Sequence, residues 1–140
     1  MAAALLIPCT CFASPLTDAL GQCLADNTTG KDRKNLAKWI FVGIAAHPEM
    51  KPIAAAAPKS VETAQRTAAE LFTKLIGTSC VKEMRVVIKA EGADGARVAF
   101  EYLGKIAMQE LMGNKEVSAT IGGVERFIDQ SKLDSVLRPK

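Results

Sequence analysis

Ser60-Val61-Glu62-Thr63-Ala64-Gln65-Arg66-Thr67-Ala68-Ala69-Glu70-Leu71-Phe72-Thr73-Lys74-Leu75-Ile76-Gly77 carries the cleanest periodic signal in the chain. Its apolar residues Val61, Ala64, Ala68, Leu71, Phe72, Leu75 and Ile76 recur at spacings of three and four, which lays them along one stripe of an α-helix. Ser60 is expected to cap its start and Gly77 its end. A helix with a single apolar stripe must bury it against other elements, so the stretch points to a helical bundle if its neighbours are helices too.

Working back from Ser60, residues 48–58 hold three prolines and the alanines at 54–57, and are expected to form a loop against the surface. Before that loop, Trp39-Ile40-Phe41-Val42-Gly43-Ile44-Ala45-Ala46 is apolar on every side. A helix of that kind belongs in the middle of a core, wrapped by others, although Ile40 and Val42 leave a buried strand as the alternative. Pro48 should end it near His47. Its start falls at Thr28 or Thr29, where Thr29 followed by Asp32 resembles a capping box with Asp in place of Glu. Further back, Leu16, Ala19, Leu20, Cys23 and Leu24 fall on one helical face, and Asp26-Asn27-Thr28-Thr29-Gly30 stops that helix with turn formers.

Working forward from Gly77, Cys80 follows within one turn. Val81, Met84 and Ile88 suit a helix, whereas Arg85 to Lys89 read equally as a short strand. Nothing nearby offers a pairing strand, so helix is favoured. Glu91 to Gly95 reads as a turn. Ala99, Tyr102, Leu103, Ile106, Met108 and Leu111 give a mostly one-sided helix over about 96–112, ended by Gly113-Asn114. Val117, Ile121, Val124 and Ile128 form a further helical face interrupted by Gly122-Gly123, each glycine costing roughly 1 kcal/mol relative to alanine. Ser131 is expected to cap a last short helix over 132–137. The sum is an all-α, single-domain bundle of about five to six helices spanning residues 14–140, with one disulfide.

The chain of 140 residues is 49% hydrophobic and 24% charged, ordinary for one globular domain and too apolar for a disordered one. A net charge of +3 is too mild to indicate nucleic-acid binding. No stretch reaches the roughly 20 apolar residues of a membrane span. Met1 to Phe12 carry no charged side chain, include an apolar run from Ala2 to Ile7, and place Cys11 and Ala13 three and one residues before Ser14. That pattern is read as an export signal over 1–13, cut before Ser14, with a buried N-terminal segment or a lipid anchor on Cys9 or Cys11 as the competing readings. Export leaves Cys23 and Cys80, and an oxidising compartment would join them. Closing 57 residue steps stabilises by about 4 kcal/mol on the chain-entropy account. Two free thiols in a reduced interior are the alternative. No C-x-x-C pair survives for redox chemistry.

Familiar catalytic arrangements are missing. His47 is the single histidine, without a nucleophile elbow or a partnered motif, and at a helix C-terminus it suits a capping role. One histidine and two separated cysteines do not supply a zinc site, and no calcium loop is present; no metal and no cofactor are expected. One feature runs against helix electrostatics: Lys31, Arg33 and Lys34 sit in the first turn of the second helix, where the dipole disfavours cations. Thr28, Thr29, Lys31, Arg33 and Lys34 thus place two hydroxyls, three cations and free backbone N–H groups together, the requirements of an anion-docking turn. The competing reading is a well-capped turn with solvated side chains. It is not a P-loop, since the first glycine and preceding strand are lacking.

Asn27-Thr28-Thr29-Gly30-Lys31-Asp32-Arg33-Lys34, continued by Leu36-Ala37-Lys38-Trp39-Ile40-Phe41 and Ala46-His47-Pro48, resembles a stretch of small exported proteobacterial helical proteins without an established activity. The resemblance covers about a fifth of the chain, implies export and a bacterial source, and carries no catalytic residue with it. Two functional readings follow. The first is a periplasmic or secreted, non-enzymatic protein that binds a protein partner, as an inhibitor, immunity-type protein or envelope chaperone would. The second is a small envelope enzyme acting on an anionic or cell-wall substrate held at the Thr28–Lys34 turn. A flat or convex apolar patch favours the first, and a cleft of convergent acidic or hydroxyl groups near that turn favours the second.

Overall fold

Leucine side chains at 20 and 24, 71 and 75, and 103 all lie fully or nearly fully out of solvent, and the helices that carry them define the body of the protein. The structure, a computed structural model, describes residues 14–138. The export signal read over Met1–Ala13, with Cys9 and Cys11, lies outside the described residues. In chain order the elements are α1 (Pro15–Asp26), α2 (Gly30–Ala45), the single turn α3 (Lys51–Ala54), α4 (Pro58–Lys74) with a π-turn at Leu75–Ser79, α5 (Val81–Met112), α6 (Lys115–Gly122) with a 3-10 turn at Gly123–Phe127, and α7 (Gln130–Leu137). No strand is present among the described residues, so both segments read as possible strands are helical. Among the described residues there are seven helices against the five or six expected: the single turn Lys51–Ala54 adds one inside the expected loop, while the segments read as helices over 81–90 and 96–112 run together as α5.

The body is α5 with α1 on one side and α2 on another, and α4 packed on α2. Gly21 sets how closely α1 and α5 approach, while Gly95 lets α5 close on its own side chains beside its bend. A Cβ at Gly21 would stand 3.1 Å from Cδ1 of Tyr102, tighter than ordinary contact. A Cβ on Gly95 would fall 2.7 Å from Cγ1 of Val87, inside repulsive range. The approach of Gly21 to Tyr102 goes with a rotated α1. Its buried line is Thr17, Leu20, Gly21 and Leu24, while Leu16 and Ala19, expected to face inward, face solvent. Periodicity that counts only apolar residues cannot see that a threonine and a glycine are buried.

Gly77 does not end the fourth helix. The chain widens into the π-turn, in which the Cys80 N–H donates to the Leu75 carbonyl at 2.8 Å. The extra residue brings Leu75 and Cys80, five apart, onto one buried face. Ser60 does not cap α4 either; Pro58 occupies its first turn after Ala57. The expected turn at Glu91–Gly95 shrinks to one residue: Gly92, with φ +68° and ψ −156°, bends α5 while helix continues on both sides. Asp129, not Ser131, caps α7, accepting from the Lys132 N–H at 3.3 Å.

Cys23 and Cys80 form a disulfide, with Cα atoms 6.0 Å apart across 57 residues. It ties α1 to the junction between the π-turn and α5. Asn27 roofs it, its Nδ2 donating to the Cys23 carbonyl at 2.9 Å, and Lys74 donates to the Asn27 carbonyl at 3.0 Å. A cation over the exposed carbonyls at the end of α1 is favoured by the helix dipole.

The largest departure from expectation is α2. Its buried side is Leu36, Ala37 and Ala45, with Ile40 half-buried. Trp39, Phe41 and Ile44, expected at the centre of the core, are 36%, 52% and 52% exposed. Only α4 and α5 pack on α2 in substance, and two neighbours can cover only part of a helix's circumference.

Candidate functional site

The Thr28–Lys34 turn is assembled as the sequence suggests, but most of its groups are committed internally. The Thr29 hydroxyl accepts from the Asp32 N–H at 3.1 Å, and the Asp32 carboxylate accepts from the Thr29 N–H and hydroxyl at 2.9 Å each. This is the reciprocal capping box expected from the spacing. The Asp32 carboxylate therefore occupies the place at the start of α2 that an external anion would take. It titrates below the usual carboxylate range, first because the Thr29 N–H donates to it, with Lys74 and Lys31 adding to the effect.

Thr28 is buried, and its hydroxyl donates to the Ala25 carbonyl at 2.8 Å. The Arg33 guanidinium, half-buried, donates through Nε to Glu110 at 3.1 Å and through Nη1 to the Thr28 carbonyl at 3.0 Å. That clamp joins the start of α2 to the far end of α5, which answers why a cation stands in a first turn: its charge is matched by a carboxylate from another helix. Of the five residues, Thr29, Lys31 and Lys34 are exposed, Thr29 with its hydroxyl engaged in the capping box.

His47 is exposed at the end of α2, where its Nδ1 accepts the Glu49 N–H at 3.2 Å and holds the turn toward α3. Among the described residues no group of three or more His, Cys, Asp or Glu side chains is placed to hold a metal ion. A polar cluster that sequence reading missed lies at the start of α1. Glu91 accepts from the hydroxyls of Ser14 and, at 2.7 Å, Thr17, which pins α1 to the bend in α5. Those hydroxyls hold the Glu91 carboxyl below its ordinary range, Ser14 contributing most. No sequence signal joins residues so far apart.

Three of the concavities lie against α2. A hollow of about 910 Å³ lies between α2, residues 55–57 and α4, lined by Phe41, Val42, Ala57, Ala64, Lys38 and Lys59 and by Leu111 of α5. On the other flank, hollows of about 750 and 380 Å³ are lined chiefly by Trp39, Ile40, Ile44, Phe72 and Phe100. Trp39, Phe72 and Phe100 stack edge to face, with centroids 5.5 and 5.4 Å apart, forming a rigid aromatic wall. The hydroxyls of Ser60, Thr63 and Thr67 line the α2–α4 hollow without a carboxylate or histidine beside them, and His47 lines the other flank without a hydroxyl, thiol or carboxylate, among the described residues. A smaller, more polar hollow of about 330 Å³ between α1 and α5 includes Asp18, Glu101, Tyr102 and Lys105.

Comparison with protein-family models, with characterised proteins and with solved structures gives no match for this chain. The side chains themselves carry the functional reading.

One sequence signal bears on the exposed face of α2. Lys31, Lys34 and Lys38 fall at i, i+3 and i+7, and Phe41 continues that line at i+10. A helix face that begins with three lysines faces water, and its apolar continuation faces water too.

Proposed function

We propose that the chain is an exported, non-enzymatic binding protein of the periplasm or extracellular space, and that it takes an amphipathic helix of a protein partner against α2 and α4. The observation that carries this reading is the exposure of Phe41 in the α2–α4 hollow, with Trp39 and Ile44 exposed on the other flank of α2. Soluble monomers seldom leave contiguous apolar area beyond a few hundred Å² uncovered unless it meets a partner. A largely apolar trough between two helices, with Lys38 and Lys59 among its lining, is a shape that receives the apolar face of a third helix. The Cys23–Cys80 disulfide and the absence, among the described residues, of a helix long and apolar enough to cross a membrane are compatible with export. A role as inhibitor, immunity-type protein or envelope chaperone needs such a scaffold and surface and no reactive group.

The enzyme reading has less support. The turn that would hold an anionic substrate is filled by Asp32, and Arg33 is held by Glu110. Affinity capture from envelope extract, with wild type beside Phe41→Asp, tests the proposal. A stoichiometric protein captured by wild type and lost with the variant supports it. Capture that is indifferent to Phe41→Asp, or tight retention of a small molecule in its place, overturns it.

A further inference from the structure

α1 is fastened near both ends. Toward its far end Cys23 is joined to Cys80, and its start is held by a carboxylate from another helix. The Ser14 hydroxyl accepts from the Thr17 N–H at 3.2 Å, capping α1, and donates to Glu91 beside the bend in α5. The Thr17 hydroxyl donates to the second Glu91 oxygen at 2.7 Å. In a capping box the acid stands three residues after the cap, and here Thr17 holds that position. Glu91, 77 residues along the chain, supplies the carboxylate in its place. A carboxylate offers about four lone-pair sites, so two hydroxyls leave it room to accept more.

We infer that removal of residues 1–13 completes this cluster: the α-ammonium created at Ser14 pairs with the Glu91 carboxylate, so that the cut itself fastens the start of α1. This rests on the export reading and goes beyond it by giving the new chain end a bonding partner. In the cut, which a signal peptidase catalyses, water adds across the Ala13–Ser14 peptide bond. The carbonyl carbon of Ala13 takes the hydroxyl and becomes a carboxylic acid. The Ser14 nitrogen keeps its own hydrogen, takes the second hydrogen of water and then the proton of that acid, and ends as an ammonium. An α-amine with an ordinary pKa of about 7.7–8.0 is mostly charged at pH 7.

Covalent geometry keeps the new charge close. Three bonds separate the Ser14 nitrogen from its own Oγ, which holds the two atoms within about 3.8 Å in any staggered rotamer. One hydrogen-bond length further, Glu91 lies no more than about 6.5 Å from that nitrogen, a range in which opposite charges act on one another. The sign of the surroundings decides the rest. An ammonium at a helix start meets the positive end of the dipole and is disfavoured there. Glu91, with Asp18 in the first turn of α1, reverses that local sign. After the bend, Asp94 and Glu101 share Arg97, and among the described residues no lysine or arginine pairs with Glu91. Both fastenings of α1 therefore await export, the disulfide an oxidising compartment and the ammonium the cut. Before it, α1 and its buried Leu20 and Leu24 are held less firmly.

The full chain, exported by a bacterial host and recovered from the periplasm, is expected to begin at Ser14 on N-terminal sequencing. Two purified chains, one beginning at Ser14 and one with a single glycine ahead of it, are then melted at pH 7 with the disulfide closed. The chain beginning at Ser14 is expected to melt about 3 °C higher. That gap should shrink by half or more between about 0.05 and about 1 M NaCl, because an ion pair at the surface is screened. Glu91→Gln, which keeps an oxygen for one hydroxyl, should lower both melting points and close the gap between them. If that variant does not fold, the salt dependence of the two wild-type chain ends decides alone. A chain cut at another bond, equal melting of the two ends, or a gap that persists in salt or in Glu91→Gln each overturns the inference. All three leave export and capture at α2 and α4 standing, whereas a chain retained uncut inside the cell removes the export reading and this one with it.

Discussion

Thr29 and Asp32 satisfy each other's backbone and side chain at the start of α2, and the spacing alone disclosed them because a capping box is local. Thr29→Ala is expected to cost about 1 kcal/mol in urea unfolding. Gly92 was legible only as part of a turn; that one residue must adopt a positive φ depends on where α1 and α5 meet, which no local pattern reports. At φ +68°, ψ −156° a side chain is strained, so Gly92→Ala should lower stability by about 1–3 kcal/mol in the same measurement. The carboxylates set the acid limit. Asp32 and Glu91 both titrate below their ordinary range in the folded protein, so their stabilisation is complete above about pH 4–4.5, where the unfolded groups are ionised, and is lost as pH falls through the folded values. Melting temperature should therefore be level from pH 5 to 7 and drop below about pH 4. Asp32→Asn combined with Glu91→Gln should lower the plateau and flatten that drop; an unchanged acid slope would refute the assignment.

At the scale of the element, helices were legible and their orientations were not. Apolar periodicity located α1, α4 and α5, yet α1 turned its Thr17–Gly21 line inward, where glycine permits the approach of Tyr102. The all-round apolar stretch in α2 misled for a different reason. Such a run records that a helix can be buried on any side, whereas the number of neighbours decides how many sides are. Leu36 and Phe41 separate these effects within one helix. Leu36 is 3% exposed in the core, so Leu36→Ala should cost about 2–5 kcal/mol. Phe41→Ala removes a larger side chain from solvent-facing surface and should shift stability by about 0.5 kcal/mol or less in the monomer. Equal losses at the two positions would place Phe41 in the core after all.

At the scale of the whole molecule, stability is unevenly distributed along the chain. α1, the π-turn and α5 share the disulfide, the Glu91 hydroxyl cluster and the fully buried leucines, whereas α6 and α7 contribute no buried side chain among the described residues. The disulfide acts on the unfolded chain by closing a loop of 57 residue steps, so it raises the stability of every structure inside or docked on that loop. Replacing both Cys23 and Cys80 by alanine should lower the unfolding free energy by up to about 4 kcal/mol on the chain-entropy account. Hydrogen exchange resolves where that loss falls. Amides of α1 and the buried side of α5 open only on global unfolding, so their protection should fall by the full amount in the double variant. Amides of α6 and α7 open locally in the monomer and should exchange at the same rate with or without the bond. A uniform drop that includes α6 and α7 would mean that they unfold together with the disulfide-linked body, contrary to their lack of buried side chains among the described residues.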